Sequence, residues 1–524
     1  MSLSDRHFDA IVIGAGHNGL IAASYLAKAG RRVLLLEAST RLGGALTTAE
    51  VSPDYRVSTA AHLLDALPRR IEKDLKLARH GLRYAKRTVQ TIALDHDLNH
   101  ITLSSKRSDL DILRRHSPAD AAAYPRFAAR MKSYAGVLGP LLQDMLPAGA
   151  PEPLSRRLRR LIWRAERLGS ETLEDLMRQL PGSIGDMLDD AFETPLLKGA
   201  LALDAVIGTG EGPYSAGTAL NAITRKGLRS ISNGPHIVEG GLGGFTDALS
   251  AAAASFGVII RAATDVKRIL IVDGMVRGVE TQSGDVYEAP LVLSSAHPRE
   301  TMLGMVGAKY LDAGLVKQLT EIVDTGATAK LNLSLDGLPT IQGLSPQEYG
   351  ARFLITPSLA SLDGAYAAFK HGGFATDLPL EMTIPSVTDA PLAPPGQHVM
   401  SIVIQYVPYQ ATGGWEGSRD RLVDHVIETL SEFAPDLRDR IVAGELMLPQ
   451  DFERKFGLVN GGWYHGDMRL DQLLTSRPAP GLARFSTPLR GLYLCGAGSH
   501  PGGGICGLPG EYAARLALSE GVRA

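Results

Sequence analysis

Apolar runs and helix-periodic stretches alternate at the head of the chain, and the switches fall at glycines. "FDAIVIGAG" predicts a buried parallel strand over Ala10 to Ile13 that runs into Gly14. "LIAASYLAKAG" has helical spacing and stops at Gly30, a residue suited to ending a helix. "RRVLLLEAS" then predicts a second apolar strand that ends at Glu37.

The same alternation returns at 238–296. "VEGGLGGFTDALSAAAASFG" reads as a glycine turn and an Ala-rich helix that ends at Gly257. Short strands follow, and Asp273-Gly274 and Ser283-Gly284 are hairpin signals, so a β-meander leads into a strand at 291–294. Between these blocks, residues 80–234 read mostly as helices. Ser117 is expected to cap the helix through "PADAAAYPRFAARMKSYAGVL", and Ser170, with Glu174 near the N3 position, to open another. Residues 300–480 mix both periods. "AKLNLSLDG" and "HVMSIVIQYVPY" alternate as half-buried strands, and "SRDRLVDHVIETLSEFA" is an amphipathic helix capped by Ser418.

The pattern divides the 524 residues into a discontinuous nucleotide-binding domain (1–79, 235–299 and 481–524) and a substrate or cap domain (80–234 and 300–480). The fold class is α/β, α+β overall: a Rossmann-type domain with an inserted helix-and-sheet domain. Composition is ordinary for a globular protein, and a formal charge of −2 gives no global field toward nucleic acid. No metal-ligand spacing stands out, so no metal is expected. The 2 cysteines, Cys495 and Cys506, exclude a disulfide framework and suit a reducing compartment. The polar head resembles no targeting peptide, and no uncharged apolar run nears the ~18–20 residues needed to span a bilayer. A cytoplasmic protein is expected. One segment, Leu154 to Leu168, places leucines on one helical face and arginines on the other around Trp163. It is either a solvated surface helix or a peripheral contact with an anionic bilayer.

Chemistry concentrates at the two ends. The loop Gly14-Ala15-Gly16-His17-Asn18-Gly19 is a GxGxxG turn between strand and helix. Gly14 permits the tight turn, Gly16 lets backbone approach a pyrophosphate, and Gly19 lets helix and strand pack closely. The helix N-terminus supplies N–H groups and partial positive charge for the phosphates. Glu37, followed by Ala38, stands where an acid accepts hydrogen bonds from a ribose diol. The Gly43-Gly44 doublet just beyond offers a second close backbone approach, which suits extended FAD rather than NAD. In the tail, "LYLCGAGSHPGGGICGLPGEYAARLAL" gives a short strand, a glycine-rich loop and an Ala-rich helix. There the loop and the helix N-terminus would face the flavin end of the same cofactor.

Taken together, "DAIVIGAGHNGLIAASYLAKAG", "LLEA", "RLGG", "GGLGGFTDALSAAAASFG" and the tail resemble the phytoene desaturase-like family of FAD-dependent oxidoreductases. Within it, they are most similar to the subgroup of pyridine nucleotide-disulphide oxidoreductase domain-containing protein 2. The resemblance implies an amine oxidase or phytoene desaturase-like fold. It also implies FAD contacts from Gly14, Gly16, Gly19, Glu37, Gly43, Gly44, the backbone near Val266, Gly496, Ala497, Gly504 and Ile505. It implies desaturation, isomerisation or oxidation of a hydrophobic isoprenoid-like substrate, by hydride transfer to flavin N5; the electron acceptor stays open between oxygen and a quinone. His62, His465 in "GGWYHGD" and His500 in the tail are the candidate catalytic bases, and Tyr464 a candidate pocket wall. Two alternatives stay open: amine-oxidase-type C–N oxidation, and an interaction or assembly protein with structural FAD.

Overall fold

The computed structural model describes residues 6–140, 159, 163, 169–232 and 234–521. A five-stranded parallel sheet is ordered Leu492–Leu494, Val292–Ser294, Ala10–Ile13, Val33–Leu36 and Ile259–Arg261. The head of the chain supplies its centre and the tail one edge, so segments nearly 500 residues apart in sequence share one sheet.

Alternation along the two head strands fills two cores. Ala10, Val12, Val33 and Leu35 pack under the helices His17–Lys28, Gly241–Ser255 and Leu508–Glu520 through Leu20, Leu26, Phe245 and Leu516. Ile11, Ile13, Leu34 and Leu36 face the other way, against Val266, Ile269, Val276 and Val279 of a three-stranded antiparallel sheet. Strands covered on both faces read as unbroken apolar runs, which is why "AIVI" and "VLLL" lack polar alternation. The first hairpin of the small sheet turns at Asp273 and Gly274, both at positive φ (50° and 68°), as a two-residue turn between twisted strands requires.

The second large sheet has seven strands: Ile441–Met447, Thr328–Leu335, His398–Gln405, Leu380–Thr383, Arg352–Ile355, Thr91–Ala93 and Ile101–Thr102. One face carries Leu331, Leu333, Met400, Ile402 and Ile404 and packs on the helix Ser418–Ser431 through Leu422, Val426 and Leu430. Its other face carries Lys330, Asn332, Ser334, Ser401 and Gln405, all buried. The two central strands are therefore not half-buried, as their alternation predicts. Their polar face looks into the protein, where Lys330 bonds His62, Ser334 bonds Ser52 and Gln405 bonds the Gly208 amide and the Thr209 carbonyl.

Ser117 caps its helix, its Oγ accepting from the Asp120 amide at 3.1 Å. Ser170 and Ser418 do not cap theirs. Each is the first helical residue, and the cap positions belong to Gly169 (φ 81°) and Gly417 (φ 73°), which make the turn into the helix. The amphipathic segment Leu154 to Leu168 lies outside the described residues except for Arg159 and Trp163. Among the described residues, no helix is long and apolar enough to cross a membrane, and no group of three His, Cys, Asp or Glu could hold a metal ion.

Candidate active site

A cavity of about 360 Å³ opens at the carboxyl ends of the parallel strands. That is where the strand-to-helix turns of an open parallel sheet leave a crevice. Gly14, Gly16, His17, Asn18, Glu37, Ala38, Gly43, Gly44 and Val266 line it from the nucleotide domain, and Ala497, Gly503, Gly504 and Ile505 from the tail. The inserted segments close it with Arg352, Glu381 and Val403 of the seven-stranded sheet, the helix Thr218–Ser232 and the loop Trp463 to His465.

Each glycine of the first turn has a distinct neighbourhood. A Cβ on Gly19 would lie 1.9 Å from the Gly14 carbonyl oxygen, so this glycine sets the helix-to-strand distance from behind the cavity. A Cβ on Gly16 would meet no protein atom within 4 Å. Gly16 is the N-cap of His17–Lys28 and no side chain caps that helix, so its first-turn N–H groups and the positive end of its dipole are left for a ligand. Ala15 is buried, and its N–H donates to Glu37 Oε2 at 2.6 Å, while the Ser39 N–H donates to Oε1 at 2.9 Å. An ionised carboxylate has about four lone-pair sites, so Glu37 keeps acceptor capacity for a diol. Gly43 (φ 110°) donates its N–H to the Ala15 carbonyl at 2.9 Å, which holds the glycine doublet against the first turn.

The histidines occupy different settings. His62 lines the cavity with both ring nitrogens engaged. Lys330 Nζ donates to Nδ1 at 2.8 Å, so Nε2 carries the proton, donated to Glu381 Oε1 at 2.8 Å. Burial and the Lys330 ammonium push His62 down to about 4, and burial pushes Lys330 down to about 7. His465 also lines the cavity, at φ 54°, its ring 5.6 Å from that of His297. Burial, together with His297, lowers it to about 3, so it stays neutral at physiological pH. His297 Nε2 lies 2.6 Å from Asp324 Oδ2, and Asp324 Oδ1 accepts from the Gly466 amide, which fixes the loop that presents His465. His500 does not reach the cavity. It is fully buried behind the tail loop, whose cavity wall is formed by Ala497 and Gly503 to Ile505. The expected approach of the tail helix N-terminus differs for the same reason. Gly510 packs on Asn18, where a Cβ would lie 2.2 Å from the Asn18 carbonyl oxygen, and no described residue from Gly507 onward lines the cavity. Gly496 also packs from behind, a Cβ there lying 2.3 Å from the Ser295 carbonyl oxygen.

Pyridine nucleotide-disulfide oxidoreductase domain-containing protein 2 of Rattus norvegicus is 34% identical over 547 residues, covering 98% of this chain and 94% of the rat protein. The chain belongs to this family. It is a family of FAD-dependent oxidoreductases with a Rossmann-type FAD-binding domain, and the family model for an NAD(P)-binding Rossmann-like domain matches residues 12–75. The neurosporene-forming phytoene desaturase of Cereibacter sphaeroides is 25% identical over 292 residues, covering 54% of each chain. The lycopene-forming phytoene desaturase of Pseudescherichia vulneris is 24% identical, covering 97% of this chain and 98% of that protein. Among solved structures, an oxidoreductase from Methanosarcina mazei has a TM-score of 0.61 at 18% identity, covering 98% of this chain and 100% of that one. Cyclohexylamine oxidase from Brevibacterium oxydans has a TM-score of 0.60 at 14% identity, covering 98% of each. At such identities these two structures speak for the fold.

The cavity fits the family's FAD. The uncapped helix behind Gly16 would take the pyrophosphate, and Glu37 the ribose diol. Three buried polar atoms of lining residues, Asn18 Oδ1, Trp463 Nε1 and His465 Nδ1, have no hydrogen-bond partner among the described residues, as suits atoms that meet a ligand. The family name's disulfide has no counterpart here. Cys495 and Cys506 are free thiols buried in the helix-side core, where burial raises both pKa values, Cys506 to about 12.

Sequence reading missed a chain of charged side chains along the inserted wall. Arg352 donates Nε to Glu381 Oε2 at 2.7 Å and pairs with Asp204 at 2.8 Å. Arg229 bonds Asp204 at 2.5 Å and Asp65 at 2.7 Å. Asp65, Arg225, Arg229, Arg352 and Glu381 all line the cavity. The available signal is a charged residue within a short, fully buried strand, as in "AKLNLSL", "RFLI" and "LEMT".

Proposed function

We propose that this chain oxidises C–H bonds of a mainly apolar, isoprenoid-like substrate, by desaturation or a related two-electron step. FAD, when bound, would supply the two-electron acceptor, with oxygen or a quinone as the final acceptor. The observation that carries this reading over amine oxidation is the state of the wall carboxylates. Glu381 and Asp65, the carboxylates through which the inserted wall could hold an ammonium, are already paired with Arg352 and Arg229, so that wall offers no spare anion to a protonated amine; the other lining carboxylates, Glu37 and Asp265, belong to the nucleotide domain. Leu63, Ile207, Val403, Phe456, Leu458 and Trp463 supply apolar wall between the charged groups.

The residues then divide the work. His62, held by Lys330 and Glu381, is a fixed wall element rather than a free base. His465 is neutral, and its Nδ1, without a partner among the described residues, is a candidate hydrogen-bonding atom toward a ligand. Inserted segments on one side and the tail loop on the other exclude bulk water. Anaerobic mixing of the flavin-loaded protein with polyenes, terpenes, alcohols and amines tests the reading through bleaching of the flavin band. Bleaching by unsaturated hydrocarbons supports it; bleaching by amines alone, with peroxide formed in air, transfers the chain to the amine-oxidising class. A flavin that no class reduces would leave the structural-FAD alternative.

A further inference from the structure

The ionic wall has more basic groups than acidic ones. Its links run from Lys330 through His62 to Glu381, Arg352, Asp204, Arg229 and Asp65, with Arg225 at the end. Lys330, Arg352, Arg229 and Arg225 thus face three carboxylates: Glu381, Asp204 and Asp65. Arg225 is the odd member. It sits one helical turn before Arg229 on Thr218–Ser232 and lines the cavity with its side chain 21% exposed. Its Nη1 donates to the Ile207 carbonyl at 3.2 Å, while its Nη2 stands 3.9 Å from Asp65, beyond hydrogen-bonding distance. Asp65 is already bonded to Arg229 at 2.7 Å. Among the described residues, Arg225 therefore has no hydrogen-bonded carboxylate. Ile207 and Tyr464, whose hydroxyl donates to the same Ile207 carbonyl, flank it.

A guanidinium beside apolar wall is costly to desolvate without an anion, and its planar fork matches a carboxylate. We infer that the substrate is an amphiphile, an apolar body with a carboxylate head that Arg225 engages in the inserted wall of the cavity. The inference rests on the reading of this cavity as a joint FAD and substrate site. It narrows the substrate class from hydrocarbon to long-chain or isoprenoid acid.

The test is titration calorimetry on the full-length, flavin-loaded protein with decanoate, decanol and decyltrimethylammonium, with the flavin spectrum recorded alongside. Decanoate should bind most tightly and perturb the flavin spectrum. Arg225→Gln should weaken decanoate by roughly ten- to a hundredfold, as expected for loss of a charge-assisted bond, and leave decanol and flavin content unchanged. Arg225→Lys, which keeps the charge and so guards against misfolding, should lose several-fold. The inference is overturned if decanol or the ammonium binds as well as decanoate. It is equally overturned if either variant binds decanoate like wild type, or if Arg225→Gln sheds flavin, since the guanidinium would then serve the cofactor's phosphates. A protein that takes up no FAD defeats the functional reading itself; flavin retained without preference for decanoate defeats this inference alone.

Discussion

Alanine at Gly16 and alanine at Gly19 should have opposite consequences, although the two glycines share one turn. At Gly16 the backbone (φ −65°, ψ 168°) is in the extended region open to any residue, and the new methyl meets no protein atom within 4 Å. Reduced freedom of the unfolded chain stabilises by ~0.4–1 kcal/mol, and alanine as an N-cap costs a similar amount, so the two nearly cancel. In a chain this long, such a remainder moves Tm by about 1 °C or less. The methyl would nonetheless fill the space over the helix N-terminus, where the pyrophosphate is to lie. FAD affinity should fall ten- to a hundredfold, or ~1.4–2.8 kcal/mol. At Gly19 the methyl lands 1.9 Å from the Gly14 carbonyl oxygen and 3.0 Å from Ser295 Oγ. The first separation is about 1.5 Å short of ordinary contact, so helix and strand must part. Overpacking of this kind costs ~1–3 kcal/mol, and here it also moves the phosphate-binding turn. The assay is calorimetric unfolding of each apoprotein, followed by FAD titration. An apo Gly16→Ala that melts as low as Gly19→Ala, or that binds FAD like wild type, would refute the assignment of open space over Gly16 to the cofactor.

Three further outcomes are expected. Arg477, 1% exposed, donates to the carbonyls of Tyr464, Gly466, Asp467, Gln472 and Ala497, tying the His465 loop to the tail loop. Arg477→Met leaves several buried carbonyls unpaired at ~1–3 kcal/mol each, and should lower both the unfolding midpoint in urea and flavin retention. Glu381→Gln breaks a buried pair with Arg352 and should cost ~3–5 kcal/mol at neutral pH. Because Arg352 and His62 hold the Glu381 carboxyl below its ordinary range, that cost should shrink as pH falls through the acid range, as followed by urea unfolding at several pH values. Asp467 is pushed the other way, up to about 7, by burial. Between the ordinary carboxyl range and pH 7 the folded state holds a proton that the unfolded chain has lost, so this group's contribution to stability declines as pH rises. Asp467→Asn should raise Tm relative to wild type at pH 8 and have little effect at pH 4.

What was legible in the sequence was what neighbours in sequence make together. The turn at Gly14 to Gly19, the acid at Glu37 and the doublet at Gly43-Gly44 lie within 31 residues, and their geometry follows from consecutive backbone conformations. The ionic wall has no such locality. His62 meets Glu381 across 319 positions and Arg229 meets Asp65 across 164, and only the tertiary fold brings them together. Ser170 and Ser418 failed as caps because a positive-φ glycine precedes each, and that conformation outweighs a favourable cap residue one position later.

The misread strands teach the most about the site. Alternation of polar and apolar residues predicts one face in water, yet Lys330, Asn332 and Ser334 are all buried. A strand facing solvent tolerates any polar residue at any alternate position. A buried strand face must pair each charge it carries, because an unpaired buried charge is far costlier than an unpaired surface one. Lys330 obeys the second rule through His62. Arg225, on the facing helix, obeys it only in part, with a single carbonyl as partner and a carboxylate held just out of reach. On the buried strands it is Arg352 and Glu381 that mark where the cavity lies, and Arg225, left without a hydrogen-bonded carboxylate, marks where its ligand's charge belongs.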